Sequence, residues 1–157
     1  MRGLIVFVAT AGYTGFAPYA PGTAGSVVGL IVSWAIFGGI WQLPWPIVVP
    51  GFAVIFVAAC WISGRAEEIL NQPDSSHIVI DEVLGMVATM FQNPIGWGPL
   101  IAGFGLFRLF DIVKPFPAGF IDRRMRGGAG VMLDDLAAAI YANIVLRLIV
   151  HFVWPAA

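Results

Sequence analysis

Charge is what this chain most conspicuously lacks: no Asp, Glu, Lys or Arg occurs between Gly3 and Gly64. Only 11% of the 157 residues are charged, 59% are hydrophobic, and the mean hydropathy is +0.89. A chain with so little polar surface falls outside the range of water-soluble domains. Cysteine is nearly absent too. Cys60 alone excludes an internal disulfide or a cysteine-based metal cluster. It also lies one residue too close to Arg65 for a thiolate phosphatase loop. Histidine is limited to His77 and His151, too widely placed for a histidine nucleophile, and no Asp-x-Asp signature occurs. The formal net charge of −1 offers no basic footprint for nucleic acid. The length leaves room for one domain, residues 1–157.

What charge there is lies in one place. All nine acidic side chains and six of the eight basic ones fall between Arg65 and Asp135. Ionised groups are costly in lipid unless paired or used. The clustering therefore implies a polar reaction centre at a membrane face, carried by apolar helices.

Four apolar stretches predict an all-α, polytopic membrane bundle. Ser26–Trp41 and Ile47–Ser63, joined by Gln42-Leu43-Pro44-Trp45-Pro46, predict a transmembrane hairpin, with Gly25, Gly29, Gly38 and Gly39 allowing close packing. Leu133–Trp154 is long enough for a C-terminal span, with Arg147 and His151 near its end. Residues 83–107 are uncharged but broken by Asn93-Pro94-Ile95-Gly96-Trp97-Gly98-Pro99. Arg108, Lys114, Arg123, Arg124 and Arg126 follow them, while Arg2 and Arg65 precede. The positive-inside rule places both flanking loops in the cytoplasm. Residues 83–107 must then enter and return, as a short re-entrant or broken helix pair. Met1–Ala9, faintly like a signal peptide, is expected to be retained. Pro73-Asp74-Ser75-Ser76 predicts a turn and helix cap.

Four clusters can carry chemistry. Gly22, Thr23, Gly25 and Ser26 offer amide and hydroxyl donors just before a helix; such a segment is either a phosphate site or an ordinary loop with its N-cap. Asp81 and Glu82 open an otherwise apolar helix, where they either offset its dipole or supply hard oxygen ligands for Mg²⁺. Arg108, Asp111 and Lys114 are spaced to share a helix face, as a salt-bridge ladder or as a phosphate clamp oriented by Asp111. Asp122, Arg123, Arg124 and Arg126 extend this basic surface, though Arg126 reads better as a lipid-headgroup or topology residue. Finally, the Gly127-Gly128-Ala129-Gly130 approach leads to Asp134 and Asp135 at the start of the last span. Helix neighbours diverge by ~100°, so both acids cannot face lipid harmlessly.

Together these blocks resemble a known family. Pro21-Gly22-Thr23-x-Gly25-Ser26, Ile78-Val79-x-Asp81-Glu82-x-x-Gly85-Met86, Phe107-Arg108-x-Phe110-Asp111-x-x-Lys114-Pro115-x-Pro117 and Gly127-Gly128-x-Gly130-x-Met132-x-Asp134-Asp135 are similar, in order and spacing, to the signature blocks of bacterial phosphatidylglycerophosphatase A. Ala24 departs from a position where the family often has a large aromatic, and Ala139 from one where Gly is common. The resemblance implies a Mg²⁺-dependent lipid phosphatase of the bacterial inner membrane, its active site facing the cytoplasm, converting phosphatidylglycerophosphate to phosphatidylglycerol.

On that resemblance, Asp81, Glu82, Asp134 and Asp135 are expected to hold Mg²⁺. Asp134, Asp135, Glu82 and Lys114 are expected to be catalytic. Thr23, Ser26, Arg108, Lys114, Arg123 and Arg124 are expected to bind substrate, while Asp111 and Asp122 orient the cations. Water attack and a covalent aspartyl-phosphate through Asp134 or Asp135 both remain open. The expected partners are the phospholipid substrate and the bilayer; oligomeric state is not encoded legibly. A small transporter or ion-binding protein would place its ionisable groups near mid-span, whereas here the spans are clean. A lipid phosphotransferase would carry further spaced aspartates where Ala137-Ala138-Ala139 stand.

Overall fold

A computed structural model describes residues 1–39, 44–125 and 127–153. Among these residues all regular structure is helical. The elements are α1 (Arg2–Ala9), α2 (Pro21–Ser33, prolonged by a π-helical stretch Trp34–Gly39), α3 (Trp45–Leu70), α4 (Ile80–Met90), α5 (Trp97–Val113), α6 (Ala118–Arg124) and α7 (Gly128–Val153). Three segments are long and apolar enough to cross a membrane: Pro21–Gly38, Trp45–Leu70 and Gly128–Val153. Ile40 to Leu43 of the expected interhelical turn, Arg126 and Trp154 lie outside the described residues.

The expected break in the third apolar stretch is present. Phe91 to Gly96 separates α4 from α5. With 11 residues, α4 is about 16 Å long at ~1.5 Å per residue, well short of a ~30 Å hydrocarbon core. A helix ending inside lipid leaves its last carbonyls without partners. Asn143 on α7 answers this directly. Its amide donates to the carbonyls of Thr89 and Phe91, both at 2.8 Å, and more weakly to Ala88 at 3.3 Å. Arg147, one turn on, donates to the Phe91 carbonyl at 3.1 Å and the Gln92 side chain at 3.0 Å. Replacing Asn143 by Leu is expected to lower stability by about 1–3 kcal/mol, the cost of stranding buried acceptors. Thermal unfolding in detergent checks this; an unchanged midpoint would refute the capping role.

Three helices begin earlier than expected, α3 by taking Trp45 and Pro46 from the expected turn. α2 starts at Pro21 rather than Ser26, and α7 at Gly128 rather than Leu133. Pro and Gly argue for loop in a propensity reading, but packing decides here. Pro21 stands in the first helical turn, where no amide hydrogen is required. Gly25 and Gly29 then press against α4: a Cβ would lie 2.7 Å from Val79 Cβ and 2.6 Å from Met86 Cβ respectively. The close packing expected of these glycines is thus made against α4. α3 packs instead on α1 and α7.

The core forms two clusters. One joins Ala59 and Ala66 of α3 with Ile80 and Leu84 of α4 and Met132 of α7. The other joins Met86 and Met90 of α4, Phe107 of α5, and Ala138, Ala139, Ala142 and Leu146 of α7. The alanine face of α7 lets α4 and α5 approach closely. The helices alternate in direction, so α2, α4 and α7 begin at the same end of the bundle where α3 and α5 finish. At that end their terminal residues line a common cleft.

Candidate active site

The cleft has a volume of about 780 Å³. α4 delivers Asp81 and Glu82 in its first turn, and α7 delivers Asp134 and Asp135 in its second. A second-turn position is beyond the reach of simple dipole compensation. Each of Asp81, Glu82 and Asp135 offers a carboxylate oxygen such that all three lie within 4.8 Å of one another. Asp81 and Asp135 are buried. Glu82 Oε2 and Asp135 Oδ2 are buried without any hydrogen-bond partner among the described residues. Asp81 lies outside the three spanning helices; burial, reinforced by the adjacent Glu82 and Asp135 charges, pushes its carboxyl well above the ordinary range. Clustered, mutually repelling carboxylates with buried oxygens left unpartnered are unfavourable without a further cation. Their hard oxygen donors suit Mg²⁺, so the residues fit the expected ion.

Asp134 is not part of this trio. Its Oδ2 accepts from Lys114 Nζ at 2.5 Å, and Lys114 donates also to Asp122 Oδ1 at 2.6 Å. The expected four-carboxylate set is thus divided: three acids stand together and the fourth is salt-bridged. Adjacent residues on one helix point about 100° apart, which accounts for the split. Burial alone would lower the Lys114 pKa, but the bonds and charges of Asp122 and Asp134 outweigh it and hold the ammonium above its usual range. Lys114 therefore stays charged.

The expected single face of Arg108, Asp111 and Lys114 requires correction. Arg108 and Asp111 do share one, with Nη1 donating to Oδ2 at 2.7 Å. Lys114 has left the helix: it caps α5 in the left-handed region at φ 47°. That turn swings its side chain towards α6 and α7. Arg108 Nη1 also lies 4.0 Å from Glu82 Oε1, linking the cationic and anionic parts of the site.

The N-terminus of α2 closes one wall. A Cβ on Gly22 would fall 2.3 Å from Glu82 Oε1 and 3.2 Å from Arg108 Nη1. A side chain at this position would push the Glu82 carboxylate and the Arg108 guanidinium out of their present places. Ser26, expected as a substrate donor, is fully buried and its hydroxyl donates back to the Gly22 carbonyl at 2.9 Å. Back-bonding of this kind satisfies a serine inside an apolar helix and removes it from the cleft. Thr23 is half-buried and does not line the cleft. Arg123 does line it. Arg124 instead lies over the Phe120 ring, 5.5 Å from its centroid.

Sequence reasoning missed one wall. Glu67 at the end of α3 and the Pro73–Ser76 segment also line the cleft. Glu67 Oε1 accepts from the Asp74 amide at 3.0 Å, tying that turn to α3. The turn was expected, but its capping role was not fulfilled, since no side chain caps α4. The confinement of every acid to residues 65–135 was the available signal.

Known proteins match this chain in sequence along most of its length. The family model for Phosphatidylglycerophosphatase A matches residues 7–150. The chain belongs to this family. The Phosphatidylglycerophosphatase A of Haemophilus influenzae is 36% identical over 128 residues, covering 81% of this chain and 77% of that protein. That of Escherichia coli is 32% identical over 143 residues, covering 90% and 80%. A Bacteroides thetaiotaomicron protein, provisionally named a phosphatidylinositol-3-phosphatase, is 33% identical over 150 residues, covering 91% of each. No solved structure matches. The chain is thus a member of the phosphatidylglycerophosphatase A family with helices suited to a membrane.

Proposed function

We propose that this chain hydrolyses the terminal phosphomonoester of phosphatidylglycerophosphate, yielding phosphatidylglycerol and inorganic phosphate. One observation carries the reading: three carboxylates from α4 and α7, with Arg108 and Lys114 from α5 and its C-terminal cap, converge in one cleft at one end of an apolar bundle. Phosphate monoesters hydrolyse extremely slowly unaided, so positioning and charge neutralisation must supply most of the acceleration. Asp81, Glu82 and Asp135 would hold Mg²⁺. Bound there, the ion supplies positive charge to the phosphoryl group and raises the acidity of an attacking water. Arg108, fixed by Asp111, and Lys114, fixed by Asp122 and Asp134, clamp the phosphoryl oxygens. Arg123 adds charge at the rim. Asp134 Oδ1 has no partner among the described residues, and we assign it to accept the proton of the attacking water. Positive residues around the cleft support a cytoplasmic orientation in a bacterial inner membrane. The short α4 supports a re-entrant α4–α5 pair.

Phosphate release in detergent–lipid mixed micelles tests this. The protein is expected to release phosphate from phosphatidylglycerophosphate, to lose about 100-fold or more of its rate in chelator, and to recover it with Mg²⁺. Turnover that persists in chelator would remove the metal assignment. Preference for a phosphatidylinositol 3-phosphate over phosphatidylglycerophosphate would instead replace the substrate. A hydroxylamine-labile phosphoprotein would replace water attack by the covalent aspartyl route.

A further inference from the structure

A second cavity, about 630 Å³ and almost wholly apolar, lies between α2 and α5. Its α2 wall is Val27, Leu30, Ile31 and Trp34. At helical spacing this stripe runs upward through Thr23, since positions 23, 27, 30, 31 and 34 follow the i, i+4, i+7, i+8, i+11 pattern of one face. The α5 wall is Trp97, Leu100 and Ile101. That stripe continues by the same spacing through Phe104 to Arg108, which lines the catalytic cleft. Both walls therefore lead from the phosphate-binding end into the apolar body. Ile31, Trp34, Trp97 and Ile101 are largely exposed there.

The dimensions agree with one occupant. From Arg108 to Trp97 is 11 residues within α5, or about 17 Å at ~1.5 Å per residue. One leaflet of a ~30 Å hydrocarbon core is about 15 Å deep. The groove, walled by residues 27–34 and 97–101, thus has its two tryptophans about one leaflet's depth from Arg108, near where an acyl chain of the same leaflet ends. We propose that the α2–α5 groove seats one acyl chain of the lipid substrate while its headgroup occupies the cleft, with Thr23 beside the glycerol backbone where groove and cleft meet. The inference rests on the phosphatase reading above and gives Thr23 a position that the cleft alone does not.

The test compares a long-chain substrate in mixed micelles with the deacylated, water-soluble headgroup, for Ile31→Trp and Ile101→Trp. Both residues are exposed, so added bulk fills the groove and not the core. KM for the long-chain substrate is expected to rise about 10-fold with kcat unchanged, because uniform binding is lost, while headgroup hydrolysis stays at the wild-type level. An unchanged long-chain KM, or an equal rise for both substrates, overturns the proposal. A photoactivatable acyl-chain analogue of the substrate, applied to the unaltered protein, gives an independent reading free of folding effects. Labelling of the 27–34 and 97–101 segments, competed by long-chain substrate, supports it; labelling elsewhere overturns it. If the unaltered protein releases phosphate from neither substrate, the catalytic reading itself has failed and the groove proposal falls with it.

Discussion

Asp135→Asn is expected to reduce phosphate release by about 10²–10³-fold, the range typical for removing one preorganised electrostatic contact from an active site. The substitution preserves shape and removes one charge from the Asp81, Glu82 and Asp135 trio. Stability should move the other way. In chelator, three neighbouring carboxylates oppose one another and two of their oxygens lack partners, so loss of one charge relieves repulsion. The variant is therefore expected to unfold at a temperature equal to or above wild type in chelator, and to require more Mg²⁺ for half-maximal rate. A merely structural Asp135 would lower stability and activity together. Full activity in this variant would remove Asp135 from the site.

Much of this arrangement was legible because lipid penalises charge so strongly. A chain with a charge-free run from Gly3 to Gly64 and all its acids between Arg65 and Asp135 leaves few places for a polar site. The broken stretch at Asn93–Pro99 announced two short helices, and α4 and α5 follow. What was not legible depended on tertiary contact. Glycines at 22, 25 and 29 lower helix propensity by about 1 kcal/mol each, yet α2 begins at Pro21 because those positions are where α4 comes closest. Spacing placed Lys114 on the face of Arg108, but a left-handed residue at the end of α5 breaks the extrapolation. Nor could spacing tell Asp134 from Asp135. Which acid joins the trio and which meets Lys114 depends on the rotation of α7 against α4, and that is set by the alanine face around Ala138, Ala139 and Ala142. Ser26 showed the opposite failure: a motif residue with the right chemistry was placed underneath the site by the same close packing.

Lys114→Met separates the clamp from the scaffold. Lys114 is bonded to both Asp122 and the buried Asp134. Removing the ammonium leaves Asp134 as a buried charge without its counter-ion, which is expected to cost about 3 kcal/mol, the lower part of the range for such pairs because Lys114 itself is partly exposed. Activity is expected to fall by about 100-fold or more, since one of the two cations on the phosphoryl group is gone. These two losses share a residue but not a cause. Adding Asp134→Asn to Lys114→Met removes the orphaned charge, so most of the lost stability should return in thermal unfolding, while phosphate release should stay low. If the double variant remains as unstable as the single one, the Asp134 contact is not what Lys114 stabilises. If Lys114→Met retains wild-type turnover, the ammonium does not contact the phosphoryl group, and Arg108 must hold it without that second cation.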